Sequence, residues 1–163
     1  MFGIETKSKI FQVNVIGGIS RLGPTRLLMF DGLMDAPAFE LLMREFFIPF
    51  VNEKMPTYHI LHMDNCPSHT ATVTNAFILE NNINHRKAPA QSPDLNPIEL
   101  VWHDLKVYLS TECKPNTFAE LIAGIKLFWR TMVTVEYCNS KINHIQNKVI
   151  YHVIRVQGKA TGL

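Results

Sequence analysis

Residues 58–89 constrain the fold more than any other stretch. YHILHMD at 58–64 reads as a short strand, apolar enough to be central in a sheet, and NHRKAP at 84–89 reads as another. Between them, CPSHTATVTNAFILENN at 66–82 opens with Pro and Ser and continues with the spacing of Val73, Phe77 and Leu79, so it reads as a helix. A strand, a helix and a strand in that order point to parallel pairing through a right-handed crossover. The chain is thereby committed to an α/β sheet.

The flanking sequence extends this plan. KIFQVNVIGGIS at 9–20 alternates apolar and polar residues and ends at Gly17-Gly18; TRLLMFDG at 25–32 is a second strand, closed by Asp-Gly. With the RLGP turn between them, the two predict an antiparallel hairpin. Residues 35–54 form a helix with Asp35 as N-cap and Phe39, Leu42, Met43, Phe46 and Phe47 as its core stripe; Pro49 should end or bend it. A helix over 97–111 turns Ile98, Val101, Trp102, Leu105 and Leu109 inward, and one over 117–132 opens with the capping box Thr117 and Glu120. A last helix, about 139–156, carries Ile142, Ile145, Val149, Val153 and Val156. Trp102 and Trp129 fall at core spacing and should be structural. The order β-β-α-β-α-β-α-α-α gives an α/β sheet with a helical C-terminal part. A hydrophobic fraction of 47% over 163 residues suits one domain over 1–163, with a flexible tail at 157–163.

Several classes are excluded. Three scattered cysteines, Cys66, Cys113 and Cys138, fit neither a disulfide framework nor a zinc site, and suit a reducing compartment. No apolar run is long enough to span a bilayer, and MFGIETKSKIF lacks the apolar core of a signal peptide. His59 and His62, three apart on a strand, point to opposite faces and should not share a metal. A net charge of +2 neither demands nor excludes nucleic acid, so a phosphate-tracking face has to come from local clusters such as Arg86, Lys87 and Lys106. A solvated strand edge accounts for Arg86 and Lys87 equally well.

Three acids invite a chemical role. Asp64 ends the first strand of the constraining unit, where α/β sheets gather ligands; it could equally begin an Asx-turn or cap the next helix. Glu99 lies three residues after Asn96 with Pro97 between, the spacing of a capping box in its Asn form. Asp94, inside the proline-bracketed SPDLNP, reads best as a turn former.

The pair alters that balance. HMDNCPSHTA followed by APAQSPDLNPIELVWHDLK resembles the catalytic core of the Tc/mariner-type transposases, DDE enzymes with an RNase H-like fold. Their second acid lies in an Asp-Asn-Xaa-Pro-Xaa-His stretch and their third in Ser-Pro-Asp-Leu-Asn-Pro-Ile-Glu; here 34 residues separate Asp64 from Glu99. A Glu in third place resembles the Tc branch rather than mariner proper. NVIGGIS is similar to the family's Trp-Gly-Gly-Ile-Ser strand, with Ile16 in place of Trp, and KPNTFAELIAGIKLFW and KVIYHVIRVQGKATG resemble its closing helices.

The resemblance implies metal-dependent DNA cleavage and strand transfer in DNA transposition, with Asp64 and Glu99 as ligands to Mg²⁺ or Mn²⁺, two ions in a complete member. Hard cations of this kind take oxygen donors, in keeping with carboxylates in place of His or Cys. His69 and Asn65 match the family's motif and would contact phosphate or the carboxylate behind the metal, although His69 could simply cap its helix. DNA is the implied partner, both transposon ends and target, a homodimer is admitted, and neither a membrane nor a small-molecule cofactor is expected. A DNA substrate places such a protein in the nucleus. The family's first catalytic Asp belongs on a strand before residue 9, where Glu5 is the sole acid; neither Glu5 nor Asp31 suits the role. The expectation is therefore an N-terminally truncated domain, impaired in cleavage by itself. Two other readings compete: a non-enzymatic, transposase-derived nucleic-acid-binding or interaction protein, and a different metal-dependent phosphohydrolase.

Overall fold

The computed structural model describes residues 12–88, 92 and 95–155. The chain divides into two compact units: a helical unit from the stretches before Leu33 and after Asn96, and an intervening unit, Leu33–Asn96.

In the helical unit, β1 (Asn14–Ile16) pairs antiparallel with β4 (Leu28–Phe30), Asn14 opposite Phe30 and Ile16 opposite Leu28. Between them, β2 (Ile19–Ser20) and β3 (Gly23–Pro24) form the hairpin tip. The predicted hairpin is present, its first strand interrupted at Gly17-Gly18 where the sequence ends it, and residues 9–11 lie outside the described residues. Thr25 bridges the interruption: its N–H donates to the Gly18 carbonyl, and its hydroxyl accepts from the Gly18 N–H at 2.8 Å. Gly17 is required by packing. A Cβ there would lie 2.8 Å from the Trp129 ring, whose Nε1–H donates to the Thr25 carbonyl.

From Pro97 on, the described residues of this unit hold four α-helices. They are α5 (Pro97–Tyr108), α6 (Phe118–Thr131), α7 (Val135–His144) and α8 (Ile150–Arg155), with π segments at Leu109–Cys113 and Ile145–Val149. Val101, Trp102, Leu105 and Leu109 are buried as their spacing predicts, and join Leu121, Ile125, Phe128 and Trp129 in one core. The two tryptophan rings stack at 5.5 Å. At the start of α6, the Thr117 hydroxyl accepts from the Glu120 N–H; Glu120 reaches back to the Asn116 N–H, one residue before the position a capping box specifies. The last helical run starts at Val135, four residues earlier than expected, because the Thr134 side chain accepts from the Tyr137 N–H and caps it. Val156 and the tail lie outside the described residues.

In the intervening unit, the Asp35 carboxylate accepts from the Ala38 N–H and opens α1 (Ala36–Leu42), which continues through a π segment (Met43–Phe47) into α2 (Ile48–Lys54). Pro49 therefore does not end the helix. The wider π turn just before it relieves the clash that a proline ring makes with an α-helical carbonyl. The next strand, β5 (Leu61–Met63), pairs in parallel with β6 (His85–Lys87), Leu61 opposite His85 and Met63 opposite Lys87, so the constraining unit forms as predicted. Its helix is broken. α3 (Pro67–Thr70) and α4 (Thr72–Glu80) meet at Ala71, whose ψ of 148° is extended. On α4, Thr74, Phe77 and Ile78 are buried, whereas Val73 and Leu79 are exposed. The Thr74 hydroxyl, fully buried, donates to the Ser68 carbonyl across the break.

Candidate catalytic site at the end of strand β5

Asp64 follows β5 directly, so the parallel ladder fixes its backbone at the carboxyl end of a strand, where side chains project into solvent-accessible space. The sequence cannot continue the strand, because Pro67 two residues after Asn65 starts α3. The Asx-turn considered for Asp64 is present: Oδ1 accepts from the Cys66 N–H at 3.0 Å. The same oxygen lies 2.6 Å from Nδ1 of His69. Burial pushes the Asp64 carboxyl up, but the Cys66 N–H and the His69 ring outweigh it and hold it below 3.8. At neutral pH the group is thus a carboxylate, which only accepts hydrogen bonds, so Nδ1 of His69 carries the proton. The Asp64 side chain remains 46% exposed against 15% for His69, so the acid is open to a ligand while its partner is covered.

Asn65 turns the other way. Its Nδ2 donates to the Ala88 carbonyl at 2.9 Å and ties the end of β6 to the end of β5. The Ala88 N–H in turn donates to the Met63 carbonyl, extending the ladder by one bond. Arg86 and Lys87 are exposed on β6, beside His62 and Met63. The structure therefore brings Asp64 and His69 together, commits the Asn65 side chain to Ala88, and leaves two exposed cations on the adjacent strand.

Glu99 and Lys106 belong to the helical unit. Both are exposed on α5, Glu99 in its first turn, where a carboxylate favours the positive end of the helix. Asp94 lies outside the described residues. The donors fit a hard divalent cation in kind: Asp64 is ionised and accessible, and Glu99 is a second oxygen donor at the surface. No group of three His, Cys, Asp or Glu placed to hold a metal occurs among the described residues. His62 is exposed, whereas His59 is half-buried with its Nε2 unpartnered and its ring edge-on to Phe47. Phe39 is the contributor that the sequence does not reveal: its ring packs 4.3 Å from the His69 ring. It reads as part of a core stripe, and nothing in its spacing links it to a histidine 30 residues on.

Comparison with known proteins supplies the family and the fold. The family described as DDE superfamily endonuclease matches residues 3–122. The transposable element Tcb1 transposase of Caenorhabditis briggsae is 30% identical over 115 residues, 69% of this chain and 41% of the relative. The transposable element Tc3 transposase of Caenorhabditis elegans is 34% identical over 97 residues, 58% of this chain and 29% of the relative. The chain thus spans less than half the length of these curated relatives. Among solved structures, the Mos1 transposase paired-end complex with left transposon end superposes with a TM-score of 0.81 at 16% identity, covering 95% of this chain and 46% of that one. The catalytic domain of Mos1 mariner transposase gives 0.78 at 15% identity, covering 98% and 78%. The fold is accordingly RNase H-like, as the resemblance implied.

Proposed function

The chain belongs to the DDE superfamily endonuclease family, and from that premise we propose that it is the catalytic domain of a Tc-type transposase, built for metal-dependent DNA cleavage and strand transfer. The observation that carries this reading is Asp64: an ionised, accessible carboxylate fixed at the carboxyl end of a parallel strand, followed 34 residues later by Glu99 in the first turn of a helix. In this reading Asp64 and Glu99 hold Mg²⁺ or Mn²⁺. Such ions, when bound, polarise a phosphodiester and activate the attacking water or 3′-hydroxyl. The chain's own residues supply the rest. Arg86 and Lys87, exposed on the strand next to the acid, contact DNA phosphates, and Lys106 does so from α5. The Asn65 side chain holds the end of β6, and with it those two cations, in register with Asp64. Transposon-end DNA, present in the Mos1 paired-end complex, is the substrate class, with the nucleus as the place of action. No observation favours a retained, non-enzymatic binding module over this reading.

Titration of Mn²⁺ followed by electron paramagnetic resonance tests the assignment. Asp64→Asn and Glu99→Gln should each weaken Mn²⁺ binding by about tenfold or more, the loss expected when a charged oxygen ligand is removed. Nicking of supercoiled plasmid in Mn²⁺ should depend on both residues. Unchanged Mn²⁺ affinity in both variants, or nicking that survives Asp64→Asn, overturns the proposal.

A further inference from the structure

We propose that His69, backed by Phe39, is a positioning residue that pins Oδ1 of Asp64 and so leaves Oδ2 as the oxygen presented to a cation. The inference rests on Asp64 being a metal ligand and adds how that ligand is oriented. Two donors converge on a single carboxylate oxygen, the Cys66 N–H at 3.0 Å and Nδ1 of His69 at 2.6 Å. Neither bond involves Oδ2. A carboxylate with one such bond can still rotate about its last torsion, which is broad and two-fold. Two bonds from different directions, one of them from the backbone, remove that freedom and distinguish the two oxygens.

The ring that supplies the second bond is itself held. His69 belongs to the short α3, and it would be free to turn if nothing covered it. Phe39, 3% exposed on α1, packs its ring at 4.3 Å and 45° to the imidazole. Phe39 is in turn placed one turn into a helix that starts at a fixed point, because Asp35 caps it through the Ala38 N–H. The chain of support therefore runs from the Asp35 cap to Phe39, to the His69 ring, to Oδ1. Every link lies within the intervening unit. A histidine that only capped its helix would direct a ring nitrogen at backbone groups, whereas here Nδ1 is spent on the carboxylate.

The wild-type chain without metal gives the first test. Long-range ¹H–¹⁵N correlation spectra should show His69 with its proton on Nδ1; an Nε2-only tautomer overturns the proposal whatever the metal does. The second test compares Mn²⁺ affinities. His69→Ala should weaken binding about tenfold, the typical effect of removing a group that orients a ligand. His69→Gln, which keeps an N–H donor, should recover part of that loss, and Phe39→Leu should weaken binding less than His69→Ala does. If Mn²⁺ affinity falls in Asp64→Asn but is unchanged in a folded His69→Ala variant, the positioning role fails and the ligand assignment stands. If Asp64→Asn also leaves it unchanged, the ligand assignment itself fails.

Discussion

The helical unit is organised around stacked aromatic rings: Trp102 lies on Trp129, and Phe128 packs between Tyr108 and Tyr137. The intervening unit has a smaller apolar core, from Phe39, Met43, Phe77, Ile78 and Ile83, and ends its main strand in a polar cluster around one carboxylate. The polar contacts of the helical unit sit at its margin, where Tyr137 and Lys141 share Asp104. Burial thus fixes the shape of one unit, while in the other it also supports a side chain that stays accessible. An acid meant for chemistry has to keep solvent or ligand on one side, so its orientation has to come from hydrogen bonds rather than from enclosure.

The comparison breaks most visibly in the helical core. Leu105 is fully buried among the tryptophans and Leu109, and Leu105→Ala should cost about 2–5 kcal/mol in urea unfolding, from lost burial plus the cavity left behind. A loss below about 1 kcal/mol would mean that the stack tolerates a void, and the contrast drawn above would fail.

A smaller effect is expected at Gly17. Its new Cβ would meet the Trp129 ring at 2.8 and 2.9 Å, so Gly17→Ala should destabilise by about 1–3 kcal/mol through overpacking. The atoms in the way are those of the six-membered ring that phenylalanine lacks at that reach. Gly17→Ala made in a Trp129→Phe background should therefore cost less than in the wild type. Additive costs in that double-mutant cycle would show that the strain lies in the backbone instead.

Asp104 sharpens the contrast through pH. Burial raises its pKa, but the Lys141 and Tyr137 side chains outweigh that and hold it below 3.8. Burial first, and then the hydrogen bond to and the charge of Asp104, push the Tyr137 phenol far above its ordinary value, so it remains the donor. A carboxyl with a depressed folded pKa contributes stability in full above its unfolded pKa and loses it as pH falls through the folded value. The stability difference between wild type and Asp104→Asn should hold constant at neutral pH and shrink below about pH 4. A gap that widens in acid would reverse the sign and remove the ion pair as its source.

Much of this was legible. The strand–helix–strand segment specified the parallel pairing of β5 with β6, because strand composition and short connections leave few alternatives. Asp64 was readable from its place at the end of a strand, and Asn65 and His69 joined it only through the family resemblance of HMDNCPSHTA. Thr117 and Glu120 gave the start of α6 through local side-chain chemistry. The π segments at Met43–Phe47, Leu109–Cys113 and Ile145–Val149 were not legible, since a single widened turn changes neither composition nor overall periodicity. Phe39 against His69 was hidden for another reason: tertiary contact, not spacing, creates it.

The smallest predicted effect tests the inward face of α4. On α4, Thr74, Phe77 and Ile78 face inward, and Ile78 is buried at 1% exposure while its neighbour Leu79, about 100° further round the helix, is 75% exposed. Leu79→Ser should then change stability by no more than about 0.5 kcal/mol, as for a surface site away from caps and cores. A loss of about 2 kcal/mol or more would be the signature of a buried leucine. It would mean that α4 turns a different face inward in solution, which would also undo the bond from the Thr74 hydroxyl to the Ser68 carbonyl that ties α4 to α3, the helix that carries His69. A near-zero result therefore supports more than one exposed side chain: it supports the inward face of α4, whose Thr74 holds α3 and so the imidazole beside Asp64.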